Sequence, residues 1–330
     1  MNRPRIAVVG ATGMVGRMFL TVLEERGIEA DYTLFASERS AGQTLPLFGD
    51  DHVVQKLDEA SFEGKGFQYA LFSAGGAISE RFAPLAAQAG AIVIDNSSCW
   101  RMCPDVPLVV PEVNSEALAS IPRGIVANPN CSTIQAVIPL KTLDEAFGLK
   151  RVIYSTYQAV SGAGQKGYQD LEDGLCGALP KKFPHPIAGN CIPHIDVFLE
   201  NGYTKEEQKM IDETRKILNR PDLRVTATCV RVPVYHGHSE SINVETERPF
   251  ELSDVMRLFR ETEGLIVRDD PKNNIYPMPI HAAGTDPVYV GRIRRDFSVE
   301  NGLNFWCVAD NIRKGAATNA VQILEKLLGR

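Results

Sequence analysis

The sequence predicts an α/β protein in two parts: a doubly wound N-terminal domain, and an α+β domain on a mixed, largely antiparallel sheet. Three features predict it. Short β-branched apolar runs alternate with helical patterns as far as about residue 150. A glycine-rich turn joins the first run to the first helix. Longer strand-like runs with few helices between them fill the remainder.

At 330 residues, with 44% hydrophobic and 23% charged residues, the chain is long enough for a sizeable core in each part without staples. A net charge of −6 argues against nucleic acid or an anionic membrane as partner, because both are usually approached with a surplus of Lys and Arg. A small anionic ligand needs only a few local cations and stays open. No apolar run approaches the roughly 20 residues that span a bilayer. The opening MNRPRIAVVG enters a strand directly, with no signal-peptide core, so the expected location is the cytoplasm. Seven cysteines (99, 103, 131, 176, 191, 229 and 307) are an odd, scattered set, not a disulfide framework. Cys99 and Cys103 lack a second ligand pair and the HGH at 236–238 stands alone, so no metal is expected. The default for each thiol is a small buried hydrophobe.

The first run, RIAVVG at 5–10, passes through GATGMVG into the helical pattern RMFLTVLEERG. Gly10, Gly13 and Gly16 have the spacing GxxGxxG, a variant of the Rossmann-type dinucleotide fingerprint. Such a turn brings the backbone around Thr12, Met14 and Val15 close to a pyrophosphate at the helix start. The competing reading is a purely structural turn. The second strand, YTLFA at 32–36, ends in SERSAG, where the fingerprint reads the ribose. Glu38 suits the 2′-hydroxyl of NAD, whereas Ser37, Arg39 and Ser40 together suit a 2′-phosphate, so NADP(H) is the expected cofactor. Two further strands, in QYALFSAGG and AIVIDNSS, end in small polar residues. Ligands lie at the carboxyl ends of strands in an open parallel sheet, which places Ser73, Gly75 and Asn96 to Ser98 at the crevice with Arg101 close by. The bland alternative for Arg101 is a surface arginine.

The next strand, at 124–127, runs into NPNCST. Pro129 biases Asn128 away from helical dihedrals, and a helix interrupted or kinked at Pro139 is expected from Ser132 on. Cys131 then sits at a helix N-terminus, where the dipole and unpaired N–H groups favour a thiolate and could hold an oxyanion on a carbonyl attacked by sulfur. A nucleophile, a metal ligand, half of a disulfide and a core residue all remain possible readings; the polar neighbours favour the nucleophile. A cysteine nucleophile beside a nicotinamide points to acyl transfer to sulfur joined to hydride transfer. Of six histidines, His238 in RVPVYHGHSES follows a strand-like run beside a glycine and is the candidate acid/base, against a structural histidine.

GATGMVG, ASERSAG, SAGG, IDNSSCWRM, NPNCSTIQ, STYQAVSGAG, NGYTKEEQKM, TCVRVPVYHGHSES and DNIRKGAATNAVQI occur in order across essentially the whole chain. In these it resembles the aspartate-semialdehyde dehydrogenase family. The resemblance implies NADPH-dependent reductive dephosphorylation of L-aspartyl-4-phosphate to L-aspartate 4-semialdehyde through a thioester on Cys131, in biosynthesis of lysine, threonine, methionine and isoleucine. It implies His238 as acid/base and Gln158 as the glutamine orienting cysteine and substrate. Arg231 would grip the α-carboxylate, for which a bidentate fork is apt. Arg101 would bind the departing phosphate with help from Asn128, Glu206 would take the substrate's amino group, and Lys209 would lie near the phosphate. Ser161, Gly162, Asn311, Lys314 and Gly315 are placed by the resemblance toward the cofactor, and homodimers or higher oligomers are implied. Two departures, Cys99-Trp100 before Arg101 and IAGN at 187–190 without an aromatic, touch packing rather than chemistry.

The tail reads as an amphipathic helix returning to the first domain. The expected division is 1–127 with 311–330 for NADP binding, and 128–310 for catalysis and dimerisation. Three alternatives stand beside the main reading: a related reductase acting on N-acetylglutamyl phosphate or malonyl-CoA, a non-catalytic NADP-binding paralogue, and a metal-dependent hydrolase.

Overall fold

A computed structural model describes residues 3–330 of the chain. The elements in chain order are β1 (Arg5–Val9), α1 (Met14–Glu25), β2 (Asp31–Ala36), β3 (Thr44–Leu47), β4 (Asp50–Val53), β5 (Gln55–Lys56), β6 (Tyr69–Phe72), α2 (Gly76–Gln88), β7 (Ile92–Asp95), α3 (Pro111–Asn114) and β8 (Ile125–Ala127). They continue with α4 (Cys131–Phe147), β9 (Leu149–Gln158), α5 (Gln165–Leu175), α6 (Lys205–Ile217), β10 (Arg224–Arg231), β11 (His238–Thr246), α7 (Leu252–Glu261), β12 (Leu265–Val267), α8 (Pro279–Ala282), β13 (Val288–Asp296), β14 (Gly302–Ala309) and α9 (Asn319–Leu327). The chain folds as two compact units. One runs to Pro129 and takes in Ala316–Arg330; the other is Asn130–Gly315. No helix is long and apolar enough to cross a membrane among the described residues.

The first unit carries a parallel sheet ordered β5-β2-β1-β6-β7-β8, with β3 and β4 as a separate antiparallel hairpin. Strands covered on both faces read as continuous apolar runs, and Ile6, Ala7, Val8 and Val9 are all fully buried. The order runs outward in both directions from the β1/β6 pair, so the reversal of winding falls where ligands bind in such sheets. α9 returns to this unit because its apolar stripe belongs there: Ala320, Val321, Ile323 and Leu324 share one core with Val8, Leu34 and Ile94.

The second unit is built on a sheet ordered β10-β9-β11-β14-β13-β12. β9 with β10 and β12 with β13 are parallel; the other pairs are antiparallel. Along β9 the side chains alternate: Val152, Tyr154, Thr156 and Gln158 are buried, whereas Tyr157, Ser155 and Ile153 are at least partly exposed. α4 covers the buried face and is itself buried throughout Ser132–Leu140, as a helix apolar on all sides must be. One expectation changes here and another is narrowed. The helix starts at Cys131, one residue earlier than the pattern suggests, because Asn130 caps it. It also runs through Pro139 to Phe147 without interruption: proline leaves the carbonyl of Gln135 without its helical donor, and Cys307 Sγ lies 3.6 Å from that oxygen and donates to it instead.

Candidate active site

In the first unit, Gly10 has φ +84°, and a Cβ there would fall 2.4 Å from the carbonyl oxygen of Ser73. Only glycine lets the ends of β1 and β6 approach this closely. The N-cap of α1 is Gly13, with no side-chain cap, so the first-turn N–H groups face outward from a turn in which Gly13 is exposed and Thr12, Met14 and Val15 are half-buried. An uncapped helix start behind a glycine turn fits the pyrophosphate of a dinucleotide. Gly75, with φ +87°, caps α2 in the same uncapped manner, and Asn96 Nδ2 lies 3.5 Å from Ser73 Oγ. In the ribose-reading turn, Ser37 and Arg39 are exposed and Ser40 half-buried. Glu38 accepts from Lys56 Nζ at 2.9 Å, a lysine that strand pairing sets beside Ala36. Nothing in the spacing of SERSAG announced Lys56.

Arg101 is not a surface arginine: it is 8% exposed, and Nε and Nη2 donate to the carbonyl oxygens of Asn128 at 2.9 Å and Asn96 at 3.1 Å. The Asn128 amide is fully engaged. Its Nδ2 donates to Asn96 Oδ1 and Ala316 O, and its Oδ1 accepts from Asn319. It therefore shapes the Arg101 site rather than offering a donor of its own. Trp100 fills a packing role: Nε1 donates to Ser79 Oγ, and the Arg123 guanidinium lies 5.8 Å over its ring.

In the second unit, three strands place a row of polar side chains at one edge of the buried sheet face. Arg231 pairs in register with Gln158, and His238 opens β11 beside them. The Ala159 N–H donates to His238 Nδ1 at 3.0 Å, which assigns the proton of the neutral ring to Nε2. Nε2 is buried with no partner among the described residues. Burial, and after it the charge of Arg231, holds the His238 pKa well below the usual histidine range, so the ring is neutral. Arg231 Nη1 donates to Ala159 O at 2.6 Å and its guanidinium lies 5.9 Å over Phe183. Its Nε is likewise buried without a partner among the described residues. Gly162 closes over this pair: a Cβ there would fall 2.9 Å from Arg231 Nη1 and 3.1 Å from His238 Cε1, so a side chain at this position would press on both groups.

Cys131 is partly exposed at the first position of α4 and electrostatically coupled to Arg231. Two of the adjoining N–H groups are engaged within the turn itself. Asn130 Oδ1 accepts from Ser132 N at 3.0 Å and Thr133 N at 3.3 Å. This moves the donor role toward His238 Nε2. Asn130 also donates through Nδ2 to Glu206 Oε1 at 2.8 Å and through its N–H to Glu213 at 2.6 Å. Gln158 Nε2 shares Glu206 Oε1 at 3.3 Å, and Lys209 Nζ bridges Glu206 at 3.1 Å and Asp196 at 2.8 Å. Burial alone would raise the Glu206 carboxyl, but Lys209, Asn130 and Arg231 outweigh it and hold the group ionised, below the usual carboxylate range. Lys209 is correspondingly held above its usual value by Glu206 and Asp196, against the effect of burial.

Cys131, Gln158, Glu206, Lys209, Arg231 and His238 thus belong to one unit and one connected cluster. Ser161 and Asn311 bond to each other, and Asn311 Oδ1 also accepts from Gly237 N at 2.9 Å; both are 2% exposed and hold the turn beside His238. Asn130 was legible as an N-cap, an asparagine just before a helical run. Asp196 carries no such signal, because it reaches Lys209 from a loop with φ +70°. Replacing Asn130 with alanine is expected to lower stability by about 1–2 kcal/mol through loss of the cap. Urea unfolding checks this; an unchanged midpoint would remove the capping argument.

None of the seven cysteines forms a disulfide, and no cluster of three or more His, Cys, Asp or Glu suited to a metal occurs among the described residues. Residues 5–121 match the semialdehyde dehydrogenase NAD-binding domain, and residues 140–314 match the semialdehyde dehydrogenase dimerisation domain. The aspartate-semialdehyde dehydrogenase of Aquifex aeolicus is 57% identical over 334 residues, covering 98% of both chains. The crystal structure of aspartate semialdehyde dehydrogenase II from Vibrio cholerae, complexed with ASA, is 47% identical with a TM-score of 0.95, covering 100% of this chain and 99% of that one. An aspartate semialdehyde dehydrogenase from Candida albicans, crystallised with NADP, is 27% identical with a TM-score of 0.78, covering 99% of each chain. With both domain models matched and relatives this similar over nearly the full length, the chain belongs to the aspartate-semialdehyde dehydrogenase family, NAD(P)-binding oxidoreductases of aspartate-family amino-acid biosynthesis.

Proposed function

We propose that the chain reduces L-aspartyl-4-phosphate to L-aspartate 4-semialdehyde, reversibly, with NADPH and through a thioester on Cys131. The observation that carries this reading is the convergence, within the second unit, of Cys131 with a neutral histidine, a buried arginine and an ionised glutamate. Glu206 meets the substrate's ammonium and Arg231 its α-carboxylate, which fixes the two charged ends and leaves the acyl phosphate to the sulfur. Cys131 attacks the acyl carbon, the C–O bond to phosphate breaks, and phosphate departs, with Arg101 as its cationic partner. Gln158, tied to Glu206, orients the acyl group. His238 holds its proton at Nε2 and presents it to the carbonyl oxygen as negative charge develops there. When bound, the nicotinamide cofactor supplies the hydride that takes the acyl group to the aldehyde level. The C–S bond then breaks, releasing semialdehyde and restoring the Cys131 sulfur.

The choice of NADP over NAD is supported by the ribose-reading turn. Lys56 neutralises Glu38, the one carboxylate suited to a 2′-hydroxyl, while Ser37 and Arg39 stay exposed. Homodimerisation is supported by the match of the second unit to a dimerisation domain and by the outward side chains of its sheet, where Tyr157 is 40% exposed and packs at 5.4 Å on Trp306.

The deciding experiment follows NADP reduction with L-aspartate 4-semialdehyde in the presence and absence of phosphate. Activity is expected to require phosphate and to prefer NADP to NAD by at least about tenfold, the order of one or two charge-assisted hydrogen bonds. Arg39→Glu is expected to remove that preference. Phosphate-independent turnover would overturn the acyl-phosphate reading, and an NAD preference in the native chain would overturn the cofactor assignment.

A further inference from the structure

A second row stands behind the reactive one. Cys229, Thr156, Glu240 and Cys307 occupy β10, β9, β11 and β14 in register, two residues deeper on the same buried face as Arg231, Gln158 and His238. All four are fully buried. Glu240 is the one carboxyl group among them, and neither of its oxygens has a hydrogen-bond partner among the described residues. A carboxylate enclosed without partner or counter-ion is not sustained in a folded core; the group takes up a proton instead.

The surroundings agree from every side. From β9 come Tyr154 and Thr156, from β10 Cys229, and from β14 Cys307; burial pushes both thiols and the Tyr154 hydroxyl up, so each is neutral. From α4 comes the neutral Gln135, whose Nε2 donates to His238 O at 3.3 Å and whose carbonyl accepts from Cys307; Cys131 heads the same helix. On β11 itself His238 is neutral, and Arg231 in the outer row is turned to Ala159 O. From α6 come Glu206, the ionised group, and Glu207, whose Oε1 accepts from Cys229 N at 3.0 Å. Burial, and after it the charge of Glu206, favours the protonated form of Glu240.

We propose that Glu240 is a positioning residue that keeps its proton throughout turnover, so that this row adds no second charge to compete with Glu206 behind the substrate. The functional half rests on the assignment of Glu206 and Arg231 to the two charged ends of the substrate. An ionised Glu240 would raise the Glu206 carboxyl and so weaken the anchor for the substrate's ammonium. The row therefore sets the upper pH limit of substrate binding.

The test compares the full-length native chain with Glu240→Gln, a neutral group of the same shape, and with Glu240→Met should the amide fail to fold. The infrared spectrum of the native protein near neutral pH is expected to contain a protonated-carboxyl stretch that either variant lacks. A group whose folded pKa is raised binds more protons folded than unfolded, so its contribution is intact below the unfolded value and is lost as pH rises toward the folded one. The native midpoint of thermal unfolding is thus expected to fall relative to that of Glu240→Gln as pH rises from about 5 into the alkaline range. Over the upper part of that range the native KM for semialdehyde is expected to rise at least about threefold while that of Glu240→Gln stays level. Absence of the infrared band, or a Glu240→Gln midpoint that falls below the native one as pH rises, would overturn the proton assignment. Identical KM profiles would overturn the positioning role. The spectrum and the midpoint need no substrate, so a failed assignment of Glu206 or Arg231 would show in KM alone.

Discussion

Replacing Cys131 with alanine is expected to abolish phosphate-dependent NADP reduction, lowering kcat by about 10⁴-fold or more, as loss of a covalent nucleophile does when its partners act as a unit with it. The folded state should survive. Asn130, not the thiol, caps α4, and the helix beyond Ser132 is held by burial on all sides. The free energy of unfolding in urea should therefore stay within about 1 kcal/mol of the native value. Mass spectrometry gives the complementary result. Native protein mixed with semialdehyde and NADP, without phosphate, and quenched in acid should carry an aspartyl group on Cys131, and the alanine variant none. Substantial activity in the variant, with the adduct absent from the native chain, would remove the thioester from the mechanism.

The second large effect concerns His238. Replacement with alanine is expected to lower kcat by roughly 10²- to 10⁴-fold, with KM little changed, as the proposed assignment of substrate anchoring to Arg231 and Glu206 requires. Glutamine at this position keeps an N–H donor and should recover part of the loss, whereas a residue whose ring must gain and lose a full proton would not be rescued by an amide. The pH behaviour follows from the same geometry. The backbone N–H of Ala159 points into Nδ1, and burial with Arg231 nearby disfavours the cation, so the folded pKa lies below the unfolded one. For a histidine held neutral, the unfolded chain binds more protons as pH falls below its ordinary value near 6.5. Stability is consequently lost on acidification from that point downward, and His238→Gln should flatten this part of the midpoint-versus-pH curve. A native kcat/KM profile with a clear histidine limb near its ordinary pKa would contradict the neutral-donor assignment.

The two parts of the molecule differed in how openly the chain declares them. The first unit is legible because its signals are local. A short β-branched run, three glycines at fixed spacing and an amphipathic helix lie within one stretch, and each glycine answers to a contact or dihedral of its own neighbourhood. The mixed character of the second sheet is legible from its long alternating runs, but its order is not. β9 pairs with β10 in parallel and with β11 antiparallel, which depends on connections that no periodicity encodes. Pro139 shows the same limit: its effect on α4 was decided by a cysteine 168 positions away in the chain that satisfies the exposed carbonyl.

At the site, residue types and their spacing determined which groups take part. NPNCST, the arginine seven residues before His238 and the Glu206–Lys209 pair on one helix face are all readable in the chain, because nucleophile, fork and ion pair are properties of side chains and of local period. The tertiary structure alone decided what state those groups are in. Asn130 takes the Ser132 and Thr133 N–H groups, Asp196 and Glu206 share Lys209, and Lys56 reaches Glu38 from an adjacent strand. A buried second row holds Glu240 without a partner. Protonation and hydrogen-bond occupancy depend on burial and on charges contributed by distant segments, and those become defined only when strands and helices far apart in sequence are brought into register.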